Sequence, residues 1–235
     1  IRMSKEKKTN EKLFEQLKTG FLDFDPAHFV QNNLTLDGAD FQVLDNGWKF
    51  MAEIYRHIAL QATRKDGKPV VIKKGRQVGA TVMAGALDLF FTNSGLFCDP
   101  NIRVVHLFPA LAQVKKFSQD KLETLVRTSK EDFINKNKLI SQNSVDNLTM
   151  KQFNTGTLWV DSLGSDGDRI RGMTADVVFF DEVQDMYGHA IGNATKILTA
   201  AKYGPTGQGV QVYFGTPKSK NSYFSTIWDM SDQRY

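Results

Sequence analysis

The chain has 235 residues, 41% hydrophobic and 24% charged, enough for one substantial core, which excludes a disordered or fibrous protein. The formal net charge of +4 permits a polyanionic partner without identifying one. Residues 1–12 supply +3 of it, so the remainder, at +1, is almost neutral and a broad basic patch is not expected. Cys98 stands alone, and His28, His57, His106 and His189 lack metal-ligand spacing; an internal disulfide and a structural zinc are excluded, and a reducing compartment is expected. No apolar run reaches the roughly 20 residues of a membrane span, and the N-terminus lacks the apolar core of a signal peptide.

In chain order, residues 1–24 read as a basic tail or exposed helix, with Ile1 and Arg2 ahead of Met3, the expected natural start. Residues 25–45 mix turn residues with isolated aromatics. Residues 48–62 place Phe50, Met51, Ile54 and Ile58 near helical spacing, which predicts an amphipathic helix. A turn over 65–69 leads to Val70, Val71 and Ile72, a β-branched run expected as a buried strand. Residues 81–91 are apolar nearly all round, as suits a helix packed deep against a sheet. The pattern repeats with a strand over 103–108 and a helix over 111–126 carrying Leu111, Val114, Phe117, Leu122 and Leu125. Runs at 148–153 and 157–160 flank Asn154, Thr155 and Gly156 as a hairpin or two neighbouring strands. Residues 176–180 and 210–214 are further apolar strands, the first ending in Asp181 and Glu182, the second in Gly215, Thr216 and Pro217. Strands alternating with helices predict a three-layer α/β/α fold around a mainly parallel sheet.

In such sheets ligands sit beyond the carboxyl ends of the strands. The segment 73–81 (KKGRQVGAT) joins a buried strand to a buried helix, where backbone N–H groups and the helix dipole favour a phosphate. It departs from the usual G-x-x-x-x-G-K-[ST] pattern at both ends, with Ala80 in the lysine position and Lys74 in that of the first glycine; Thr81 sits where a hydroxyl would meet Mg²⁺. About 100 residues on, an apolar run ends in paired acids, as a Walker B element requires: Asp181 for the metal and Glu182 to polarise the attacking water. The acidic stretch 161–168 lacks the ligand alternation and closing glutamate of a Ca²⁺ loop and reads as an exposed loop.

Four segments together resemble the ATPase domain of viral large terminase subunits of the tailed-bacteriophage type, the motors that package double-stranded DNA. They are 75–79 (GRQVG), 108–113 (FPALAQ), 171–182 (RGMTADVVFFDE), and 215–217 (GTP) with 221–224 (NSYF). The resemblance implies a P-loop NTPase of the additional-strand catalytic-glutamate type over 25–235, with 25–68 on the adenine side and 69–235 as core, using ATP and Mg²⁺. It assigns phosphate contacts to Lys74, Gly75, Arg76, Gln77, Val78, Gly79, Ala80 and Thr81, the metal to Thr81 and Asp181, catalysis to Glu182, and γ-phosphate sensing and coupling to Thr216. Some relatives carry the loop's lysine at its start, as Lys74 would; an engineered Lys-to-Ala change at position 80 is the other account of Ala80. Arg171 is the first candidate for an arginine finger acting between subunits, Arg169 the second, and Arg76 could act within its own subunit. Phe41, Gln42, Trp48 and Tyr55 lie where the family recognises adenine, although aromatics at helical spacing more often belong to a core. Implied partners are double-stranded DNA, the portal protein of the procapsid, the small terminase subunit and further copies of the chain in a ring, in the host cell cytoplasm and with no membrane. Only 18 residues follow Pro217, too few for the family's nuclease domain, so DNA cleavage is expected of the full-length protein only. A superfamily-2-like helicase and an inactive nucleotide-binding module are the rival readings.

Overall fold

The computed structural model describes residues 24–45, 48–64, 68–75, 78–94, 102–130, 145–153, 155–202, 209–218 and 222–231, without the side chains of 197–202 and 230. The basic tail, Cys98, the centre of the 65–69 turn, Arg76, Gln77, Asn154 and Asn221 lie outside the described residues. Among those described, no helix is long and apolar enough to cross a membrane.

Six strands form the central sheet: β3 (Val70–Lys73), β4 (Ile102–Phe108), β5 (Met150–Gln152), β6 (Gly156–Ser162), β7 (Val177–Phe180) and β8 (Val210–Gly215). Their order is β3-β8-β7-β4-β6-β5, parallel except for β5, which pairs antiparallel with β6 as the hairpin reading expected. A separate two-residue pair, β1 (Thr35–Leu36) and β2 (Ala39–Asp40), sits before the sheet. The apolar runs were legible because both faces of the sheet are covered. Along β7, Val177 and Phe179 join one core while Val178 and Phe180 join the other, and Val70, Ile72 and Val71 divide likewise along β3.

The larger core lies under α1 (Pro26–Asn33), α2 (Lys49–Thr63), α3 (Ala80–Asn93) and the run from α4 (Leu111–Lys116) through a π-helical stretch (Phe117–Leu122) to α5 (Glu123–Arg127); the smaller lies under α6 (Gly188–Lys202) and α7 (Tyr223–Met230). Each fully buried Leu, Val or Phe contributes roughly 1.5–3 kcal/mol. Eleven of the 14 residues of α3 are buried, which confirms a helix apolar on nearly every side.

Four expectations need correction. Phe50 is 54% exposed, because the buried stripe of α2 runs through Met51, Ile54, Tyr55, Ile58 and Ala62. The 111–126 helix is not regular: buried Phe117 and Leu122 are five residues apart, a spacing that a π turn brings onto one face and an α turn does not. Leu111, before that shift, is 47% exposed. The 25–45 region holds a helix, α1, whose Asp25 side chain accepts from the Ala27 N–H and whose first residue is Pro26.

One buried polar pair links the layers. Asp88 of α3 and His106 of β4, both fully buried, meet at 2.7 Å. Burial holds the Asp88 carboxyl above the usual carboxylate range, against the pull of His106.

Candidate active site

Strands β3, β7 and β8 end side by side, and their loops line a cavity of about 560 Å³ together with the start of α3. Of the residues singled out in the sequence, Lys74, Gly75, Val78, Gly79, Ala80, Thr81, Glu182 and Thr216 line it and Asp181 does not; Val82, Lys121, Gln184, Asp185 and Lys218 also line it and were not anticipated. Lys121 reaches it from the π-helical stretch.

The phosphate loop is shaped by one residue. Gly79 adopts a left-handed backbone (φ 73°) immediately before α3, and a Cβ there would also lie 2.6 Å from the Trp48 ring. Gly79, at the N-cap, has no side chain with which to cap α3, and Ala80, Thr81 and Val82 of the first turn line the cavity. At the loop's other end the Lys74 N–H donates to the Gly215 carbonyl at 2.9 Å, fixing the loop's origin to β8.

The cationic and anionic groups meet across it. Lys74 Nζ donates to Glu182 Oε1 at 2.7 Å and lies 3.4 Å from Asp181 Oδ1, with its side chain only 8% exposed. Burial alone would lower the Lys74 pKa, but the Asp181 and Glu182 carboxylates outweigh it and hold the ammonium above its ordinary value. Asp181 is fully buried; its N–H donates to the Leu107 carbonyl at 2.9 Å, and its Oδ2 accepts from Thr81 Oγ1 at 2.8 Å. Thr81 and Asp181 thus present a hydroxyl and a carboxylate together, both hard oxygen donors suited to Mg²⁺. Among the described residues no group of three or more His, Cys, Asp or Glu could hold a metal ion.

Glu182 has φ 56° and ψ 42°, a left-handed conformation uncommon outside glycine. A single 3-10 turn, Val183–Asp185, follows and carries Gln184 back toward the carboxylate. Sequence reasoning stopped at the acidic pair and missed Gln184; its place two residues beyond the pair was the available signal.

The arginines stand apart. Arg171 pairs with Asp168 at 2.7 Å on the surface, 71% exposed, and does not line the cavity of its own chain. Arg169 donates to Ser162 Oγ and lies 3.8 Å from Asp161. Of the adenine-side candidates, Tyr55 is fully buried with its hydroxyl on the Met83 carbonyl, and its pKa is pushed up by burial; Phe41 is buried too. Both are core residues, while Trp48 packs against Gly79.

A parallel sheet whose strand ends bring a phosphate loop to an Asp–Glu pair, with β8 as an additional strand between them, defines a P-loop NTPase fold. Residues 46–235 match the family described as phage terminase large subunit gpA, ATPase domain, and the chain belongs to that family, an ATP-hydrolysing domain. The HK97 bacteriophage large terminase shares the fold with a TM-score of 0.65 at 12% identity, over 88% of this chain and 40% of its own. The Thermus phage P74-26 large terminase ATPase domain does so with a TM-score of 0.50 at 20% identity, over 73% and 68%. The chain therefore spans 40% of the length of the HK97 protein. No curated protein sequence matches it.

Proposed function

We propose that this domain hydrolyses ATP to drive double-stranded DNA into a procapsid, as the motor portion of a large terminase subunit. The convergence of Lys74, Thr81 and Glu182 on one cavity, with buried Asp181 holding Lys74 and Thr81 from behind, carries the reading, supported by family membership. ATP with Mg²⁺ supplies the phosphoryl bond to be broken and the divalent charge that neutralises it. The loop from Gly75 to Gly79 and the N–H groups of α3 bind the phosphates, and Thr81 with Asp181 would hold the metal. Lys74, not residue 80, brings the ammonium into the cavity, where a preorganised cation stabilises charge developing on the leaving phosphates. The Glu182 carboxylate orients and deprotonates the attacking water, and Thr216 marks the turn that senses the γ-phosphate.

Arg171 acts on a neighbouring subunit's nucleotide. Its exposure and its surface partner, a kind of pair worth about 0–1 kcal/mol, leave it easy to redirect. The portal, the small subunit and DNA are the partners, engaged from the cytoplasm. Hydrolysis measured with and without duplex DNA, beside strand-separation and packaging assays, tests the function; turnover indifferent to DNA, or strand separation, counts against it. Mixing Arg171→Ala with Glu182→Ala protein is expected to restore part of the activity that each lacks alone, and no recovery removes the finger assignment.

A further inference from the structure

Gln184 reaches two strand ends at once. Its Nε2 donates to Oε2 of Glu182 and, at 3.2 Å, to Oδ2 of Asp185, while its Oε1 accepts from the Thr216 backbone N–H at 2.8 Å. Only one orientation of the carboxamide fits. The Thr216 N–H can only donate, so it must meet oxygen, which leaves the NH₂ for the carboxylate. The other oxygen of Glu182 is held by Lys74 Nζ, so each carboxylate oxygen has its own donor and the orientation of the group is set.

We infer that Gln184 is a positioning residue for the reaction, tying the orientation of the Glu182 carboxylate to the position of the Thr216 turn. The inference rests on the reading of Glu182 as the group that activates water. The turn has little slack. Gly215 accepts from the Lys74 N–H, and the Phe224 ring of α7 lies over it so closely that a Cβ at 215 would come within 2.7 Å. A displacement of the turn therefore reaches Glu182 through the amide. The role needs a neutral donor and acceptor at the end of a two-methylene stem. Glutamate would still accept from Thr216 but would set an anion against Glu182, and methionine, similar in length, has no donor.

Steady-state hydrolysis by Gln184→Met, Gln184→Glu and Glu182→Gln, with binding of a fluorescent ATP analogue and thermal unfolding, tests this. Both Gln184 variants are expected to lose roughly tenfold or more in kcat, with KM and analogue affinity within about threefold of wild type and an unchanged unfolding midpoint. If Gln184→Met keeps its kcat while Glu182→Gln is inactive, the positioning role falls and Glu182 stands. A rise in KM at constant kcat would assign Gln184 to nucleotide binding and overturn the inference, as would loss of the unfolding transition in both variants. Full turnover by Glu182→Gln would bring down the reading of Glu182 and this inference with it.

Discussion

Two residues lining the cavity share the left-handed backbone: Gly79 before α3 (φ 73°) and Glu182 after β7 (φ 56°). At Gly79 the sequence accommodates the geometry, since a glycine meets no Cβ penalty and leaves room for the Trp48 ring. At Glu182 the geometry is imposed on a residue with a full side chain, the one proposed to activate water, at a cost of roughly 1–3 kcal/mol that the surrounding contacts must outweigh. The turn at Gly79 suits its residue, and the turn at Glu182 strains its own.

The largest expected effect comes from removing the chemistry and keeping the shape. Glu182→Gln should lower kcat by about 10²–10⁴ with little change in nucleotide affinity, measured by phosphate release and analogue titration. Turnover within a few-fold of wild type would dissolve the contrast. Next, Lys74→Ala should lose about 10²–10³ in kcat, while Ala80→Lys leaves activity unchanged or raises it. Near-normal turnover in Lys74→Ala would show that the cation lies elsewhere.

Stability effects sharpen the contrast. Gly79→Ala should cost about 2 kcal/mol in chemical denaturation and weaken nucleotide binding. Adding Trp48→Ala relieves the crowding but not the backbone strain, so the double variant separates the two causes. Glu182→Gly, by comparison, should stay within about 1 kcal/mol of wild type while abolishing turnover, because relief of strain offsets the lost contacts.

The smallest effect is a pH dependence. The carboxylates hold the Lys74 ammonium above its ordinary 10.5, so the stability it contributes is complete below that value and is lost as pH rises through the higher folded-state value. The stability difference between wild type and Lys74→Met should be flat from about pH 6 to about pH 9 and shrink in strong alkali. A difference that instead vanished near neutrality would place the ammonium outside the carboxylates' reach.

What the sequence disclosed depended on whether a physical constraint acts locally. Strands β4, β7 and β8 were legible because burial on both faces demands mostly apolar runs, unbroken in β7 and interrupted only by Arg103 and His106 in β4 and by Gln211 in β8. That Lys74, Thr81, Asp181 and Glu182 would meet was legible because each stands just beyond the end of a strand or at the start of the following helix, where a parallel sheet brings its loops together. The π turn was not, since its cause is the register of Phe117 and Leu122 against a core formed by distant segments. Helix α1 had a local signal, Asp25 followed by Pro26, that was too short to stand out among turn residues. The Asp88–His106 pair gave none: 18 residues separate the two, and only the packing of α3 on β4 brings them together. Gln184 shows the same limit, because its meaning depends on Thr216, 32 residues away.

Position 74 has a further consequence. In the usual pattern the lysine rides on the helix that follows the loop, so cation and phosphate grip move as one piece. Here the lysine's own backbone is bonded to β8, and its ammonium is already held by two carboxylates. The cation is anchored to the strand ends, to β8 through its backbone and to the carboxylates after β7 through its ammonium, and not to the first turn of α3. The entropy of ordering that long side chain is lost once, when the chain folds, so under the proposed role none of it need be lost again on binding nucleotide.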